Sequence, residues 1–156
     1  MAAKPAISDS IAAPAEVDTS LLESLVGYRL RRASTVFKTD FSAALEGLGM
    51  RQVLFGIMAV VHSNPGLIQI TLGKVLGIQR ANLVPLLNEL SERKLVDRRP
   101  APGDRRASAL YLTGDGEKLL QDAVARVRAH EDKVLARLTS AERAKLIELL
   151  GKIRAE

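Results

Sequence analysis

The stretch "RRPAPGDRRAS", Arg98 to Ser108, sets four arginines around a Pro, a Gly and an Asp. Turn residues of this kind argue against a continuing helix. Four guanidinium groups at one bend are also more crowded than solubilising charge spread over a helix face. What flanks the bend gives it a meaning. "LVDRR" precedes it and "RASALYLT" follows, and in the second arm Leu110 and Leu112 alternate with Tyr111. Two such arms around Pro100-Ala101-Pro102-Gly103-Asp104 predict a two-stranded hairpin with a basic tip.

The residues upstream change period. "ITLGKVLG" places Leu72, Val75 and Leu76 on one helical face, and after Gly77 "IQRANLVPLLNELSERK" places Leu83, Leu87 and Leu90 on another. Two short helices about a glycine-containing turn fit a helix-turn-helix, a pattern any αα-corner shares. A helix-turn-helix running directly into a basic hairpin predicts a winged helix. Its second helix would enter the major groove, about 12 Å wide, and its hairpin tip would reach the adjoining minor groove or backbone. Arginine suits that tip because its planar fork meets phosphate bidentately and narrow grooves attract it. Arg98, Arg99, Arg105 and Arg106 are therefore expected on DNA, with Asp104 pairing with Arg106 or Arg105 to aim the guanidinium. The plain alternative is a solvated basic hairpin with no partner.

Working outward, apolar residues at 22, 26, 30, 33, 37, 41, 44 and 48 predict one long amphipathic helix ending near Gly47 and Gly49. A more apolar helix follows from about Met50 to His62 and stops at Asn64-Pro65-Gly66. After the hairpin, one helix carries Leu120, Val124, Val127, Val134 and Leu138. A last one opens at "TSAE", where Thr139 and Glu142 have capping-box spacing, and continues through Leu146, Leu150 and Ile153. The expected fold class is mainly α with a small β-hairpin wing: a winged helix-turn-helix at about 50–113, with dimerisation helices at about 21–46 and 114–154. Residues 1–20 read as a disordered tail without the pattern of a signal peptide, and 21–156 as one domain.

Composition fits that reading. The 156 residues are 47% hydrophobic but only 3% aromatic, so the core must be aliphatic, and the net charge of +5 favours a polyanionic partner. With no cysteine there are no disulfides and no thiol chemistry. His62 and His130 stand too far apart in the sequence to suggest a zinc centre. No cofactor is expected. The longest apolar run, Leu54 to Val61, is too short to span a bilayer, so no membrane partner and a cytoplasmic location are expected.

From Leu21 to Arg154 the chain resembles the MarR family of bacterial transcriptional regulators. The most specific piece is "ERKLVDRRPAPGDRRASALYLTGDGEKLL", Glu92 to Leu120, similar to that family's wing, whose Asp and Arg fall on Asp104 and Arg106. "LGKVLGIQRANLVPLLNEL" is similar to its helix-turn-helix, which implies DNA-facing positions at Gln79, Arg80, Asn82, Leu83 and Pro85. Three positions depart from the family pattern. Gln79 stands where Ser often caps the recognition helix, Lys94 replaces the glycine at that helix's end, and Pro85 falls inside the helix, which implies a kink or a later start. The resemblance implies a homodimer on a pseudo-palindromic operator of double-stranded DNA, and a repressor released by a small organic effector. The apolar faces of 21–45, 117–138 and 141–154 supply dimer material; a bundle closed within one chain is the alternative.

"GYRLRRASTVFKTDF", Gly27 to Phe41, looks like the corresponding segment of MarR-type repressors that respond to aromatic acyl-CoA thioesters. Its cations suit phosphate and its rings an aromatic group. The expected effector contacts are Tyr28, Arg29, Arg32, Phe37, Lys38 and Phe41, with Phe55, Met58 and His62 of the next helix. Alternatively Phe37, Phe41, Phe55 and Met58 are plain core, Arg29 to Lys38 a solvated face, and His62 a cap or core residue. An enzyme would need a nucleophile with its base, a carboxylate pair or a metal site, and the sequence offers none. An architectural protein binding DNA without sequence preference is the closest rival, and a winged helix used only for protein contacts is a further one.

Overall fold

The computed structural model of the chain describes residues 17–153, with the side chains of 39, 40 and 104–106 outside the description. Most of the expected tail at 1–20 therefore lies outside the described residues. The elements run α1 (Ser20–Glu23), α2 (Val26–Glu46), α3 (Gln52–Ser63), β1 (Leu67–Ile68), α4 (Gln69–Leu76), α5 (Arg80–Glu92), β2 (Val96–Ala101), β3 (Asp104–Leu112), α6 (Gly114–Val134) and α7 (Ser140–Lys152). The fold is mainly helical with one small antiparallel sheet. Its chain divides between Thr35 and Val36 into two compact units, each taken by itself.

In the smaller unit the long first helix of the sequence reading is broken. Ser24 Oγ donates to Leu21 O at 2.7 Å, the acceptor that a continuous helix would give to the Leu25 N–H. That N–H bonds Leu22 O instead, at 3.1 Å. A serine hydroxyl competing for a helical carbonyl ends α1 after one turn, and α2 restarts at Val26.

The larger unit holds the core. Leu45, Leu54, Ile57, Met58, Val61, Leu72, Leu83, Leu87, Leu90 and Leu110 are wholly enclosed. They come from α2, α3, α4, α5 and β3, and each large aliphatic side chain so buried contributes about 1.5–3 kcal/mol. Val75 is a correction: expected beside Leu72 and Leu76, it is 62% exposed. The sheet has three strands in the order β1-β3-β2, one more than the hairpin predicted. β1 pairs Leu67 with Leu110 and Ile68 with Ala109, tying the end of α3 to the wing.

Two caps set the later helices. Thr113 Oγ1 accepts from Gly116 N at 3.0 Å and donates to Lys94 O at 2.6 Å, so it starts α6 and fastens it to the end of α5. Gly116 permits this: a Cβ there would stand 2.1 Å from Leu95 O. α7 opens with the expected capping box between Thr139 and Glu142. Hydrogen bonds from Thr139 hold the Glu142 carboxyl below its ordinary value.

Candidate nucleic-acid interface

Gly77 closes α4 in the left-handed region, φ 64°, where a side chain would be strained. Ile78 N then bonds back to Gly73 O at 2.8 Å, and the chain turns into α5. Gln79 is extended and its side chain makes no cap bond, as expected of a weak N-cap, while its carbonyl accepts from Asn82 N and Leu83 N. Gln79, Arg80 and Asn82 are exposed, and among the described residues none of their side chains is engaged in a hydrogen bond. α4, the turn and β3 surround a cleft of about 510 Å³ lined by Ile70, Lys74, Ile78, Gln79, Arg80 and Ser108.

Leu83 is a correction. It is 1% exposed and belongs with Leu87 and Leu90 to the stripe that docks α5 on the core. At about 100° per residue, the side opposite that stripe carries Ala81, Pro85, Asn88 and Glu92, all exposed. Ala81 and Asn88 were missed from the sequence, although the leucine stripe already implied their direction. Pro85 neither delays nor ends the helix, which runs from Arg80 to Glu92 through it. α5 terminates by forcing Lys94 into φ 57°, the one non-glycine residue with positive φ among those described. Leu95 N then bonds Leu90 O at 2.9 Å, completing the glycine-type stop without glycine.

In the wing, Arg98 and Arg99 lie on β2, opposite Leu110 and Ala109, and not at the bend itself. Arg98 Nη2 donates to Asn88 Oδ1 at 2.7 Å, bridging the wing to the outward side of α5. Arg99 pairs with Asp97 at 3.1 Å and lies over the Tyr111 ring, 4.6 Å from its centroid. Both keep exposed surface. Asp104, Arg105 and Arg106 begin β3. The expected pairing of Asp104 with Arg105 or Arg106 lies outside the described side chains.

The residues expected to hold an effector separate into groups. In the smaller unit Arg29 is engaged by Glu23, through its carboxylate at 3.0 Å and its carbonyl at 2.8 Å. Arg31 and Arg32 lie 5.5 and 5.8 Å from the Tyr28 ring centroid. In the larger unit Phe41 meets Phe55 edge-on at 6.0 Å. Lys38 is exposed. Met58 is wholly enclosed, a core residue and not a lining one. His62 is drawn away to Glu117, 2.7 Å from Nδ1 to carboxylate, joining α3 to α6. The residue that sequence reasoning passed over is His130. It is 6% exposed, edge-on to Phe37 at 5.9 Å and to Phe41 at 6.4 Å, and its Nε2 has no partner. Its signal was its place on the apolar side of α6, one turn beyond Val127.

A model of the MarR family matches residues 49–107. A protein of Thauera aromatica assigned as a transcriptional regulatory protein for the hcr operon is 32% identical over 151 residues, covering 96% of this chain and 89% of its own length. Among solved structures, the transcriptional repressor CouR bound to a 23-mer DNA duplex is 32% identical with a TM-score of 0.81, over 89% of this chain and 99% of that one. CouR bound to p-coumaroyl-CoA is 30% identical with a TM-score of 0.72, over 88% and 97%.

Proposed function

The chain belongs to the MarR family of transcriptional regulators, and on that premise we propose that it is a homodimeric, sequence-specific repressor. An aromatic acid or its CoA thioester releases it from a pseudo-palindromic operator. The observation that carries the DNA reading is the N-terminal end of α5, where Gln79, Arg80 and Asn82 are exposed and uncommitted beside a wing carrying Arg98 and Arg99. Gln and Asn present the paired donor and acceptor that adenine matches in the major groove, and arginine the fork that matches guanine or phosphate. Arg105 and Arg106, at the start of β3, add to the wing's positive charge.

Dimerisation is supported by apolar surface left open in a single chain. Leu21, Leu25 and Val26 are exposed in the smaller unit, and Ile147, Leu150 and Ile153 along α7. Patches of that kind mark interaction surfaces. The effector reading draws on the CouR complex with p-coumaroyl-CoA and on a ring cluster in which Phe37 and Phe41 flank a buried imidazole with an unused nitrogen, with Phe55 against Phe41. Separately, Arg31 and Arg32 beside Tyr28 offer charge suited to phosphate. On this reading the protein binds and releases and does no covalent chemistry, and it works in the cytoplasm. No described helix is long and apolar enough to cross a membrane.

The test is fluorescence anisotropy with DNA flanking the protein's own coding region, at fixed salt, against scrambled DNA. Aromatic acids and their CoA thioesters are then titrated in. Tight binding to the native fragment alone, released by one thioester and not its free acid, is the expected outcome. Equal binding to scrambled DNA would favour an architectural protein, whose affinity is electrostatic and steeply salt-dependent.

A further inference from the structure

We propose that Ala81 and Pro85 select thymine in the operator by contact with its 5-methyl group. The inference rests on α5 being the recognition helix. Leu83, Leu87 and Leu90 are turned fully into the core, so Ala81 and Pro85 occupy the opposite side and are exposed. That side meets the floor of the major groove when the core-facing stripe is turned away from DNA. Neither side chain donates or accepts a hydrogen bond. The group on a groove floor that matches an apolar side chain is the thymine methyl.

The helix bears a cost at this position that its packing does not return. A proline inside a helix destabilises it through its lost hydrogen bond and ring clash, and Pro85, being exposed, recovers nothing from the core. Local rules broken on a working surface mark functional positions. Ala and Pro also lose no rotamer freedom when a partner covers them, so the gain from burying a methyl is kept in full. Four residues of helix advance about 6 Å, close to two base steps of about 3.4 Å. The two residues therefore reach thymines about two base pairs apart in each half-site.

The test uses the full-length protein and the bound promoter fragment amplified with dUTP in place of dTTP. The replacement deletes the methyl and leaves base pairing and phosphates intact. The native protein is expected to bind the uracil fragment roughly 200-fold more weakly, the yield of two buried methyls in each of the two half-sites. The Ala81→Ser/Pro85→Ser variant, which puts a hydroxyl at both positions, is expected to bind both fragments within about twofold of each other. Equal affinity of the native protein for the two fragments overturns the inference without any variant, and so does a variant that keeps the native difference. A native protein that fails to prefer its thymine-containing fragment over scrambled DNA sinks the regulator reading itself. Melting of the Pro85→Ala variant above the native protein accompanies the expected result, since the lost helix bond returns.

Discussion

In the lobe from α3 to β3, Leu54, Leu72, Leu83, Leu87, Leu90 and Leu110 are wholly enclosed in one core that Leu45 of α2 and Leu120 of α6 help to close, whereas α7 has no buried residue and leaves Ile147 73% exposed. The lobe closes its core within one chain. α7 is held by other means: its capping box, and Arg143, which donates to Leu135 O at 3.0 Å and reaches Asp132 at the end of α6. A 13-residue helix in water is marginal by itself, and an amphipathic one gains most of its stability by burying its apolar face. The difference separates the two regions: the lobe buries its own apolar side chains, and α7 leaves open the apolar face that the proposed second copy would cover.

The sharpest way to break the claim for the lobe is at Gly116. A Cβ 2.1 Å from the Leu95 carbonyl cannot be relieved by a side-chain rotation, because the obstacle is backbone. Gly116→Ala is expected to cost about 3 kcal/mol or more and to lower the melting temperature by roughly 8 °C or more. An unchanged melting curve in differential scanning calorimetry would mean that the junction of β2, α5 and α6 is loose. For α7 the corresponding variant is Ile147→Glu/Ile153→Glu. It is expected to shift the protein from dimer to monomer in sedimentation and to weaken binding to the native fragment roughly 100-fold, as the second half-site stops being intramolecular. A dimer that survives both charges would place the interface elsewhere.

The wing offers a smaller test of the same contrast. Arg99 is held by Asp97 and by the face of Tyr111, yet both contacts are at the surface and together stabilise by no more than about 1 kcal/mol. Arg99→Ala should therefore melt almost normally. If Arg99 also neutralises a phosphate, the slope of log affinity against log salt falls by about one per protomer. A large loss of stability with an unchanged slope would make Arg99 a strut of the sheet instead.

Much of this architecture was legible because the sequence changes period where the structure changes element. The 83-87-90 stripe, Gly77 and the alternation around Tyr111 each carry their own local physics. The parts that were not legible depend on competition. Ser24 ends α1 because its hydroxyl takes a backbone acceptor, and Val75 fits the helical period while tertiary contact favours its neighbours. β1, at two residues, is too short to show alternation. Among the interface residues, Leu83 was assigned both to the core stripe and to DNA, and burial decided for the core. Ala81 and Asn88 follow from that decision by geometry. His62 and Met58 could not be placed without knowing that Glu117 and the core would claim them.

The smallest effect concerns the end of α5, where the lobe holds a strained residue in place. Lys94 has φ 57°, a region that costs an L-residue roughly 1–2 kcal/mol relative to glycine. Three bonds hold it there: Lys94 N to Ser91 O and Leu95 N to Leu90 O, each 2.9 Å, and Thr113 Oγ1 to Lys94 O. Glycine would remove the strain but enlarge the unfolded ensemble, offsetting about 0.4–1 kcal/mol of the gain. Lys94→Gly is thus expected to stabilise by about 0.5–1 kcal/mol, a rise of roughly 2–4 °C in melting temperature. Lys94→Ala, which keeps the strain and removes the charge, should show no such rise. If both variants melt alike, the gain belongs to the charge and the backbone at Lys94 is relaxed. If Lys94→Gly melts lower, the lysine side chain makes a contribution that outweighs its conformation, and the lobe is less self-sufficient at this corner than its leucine core implies.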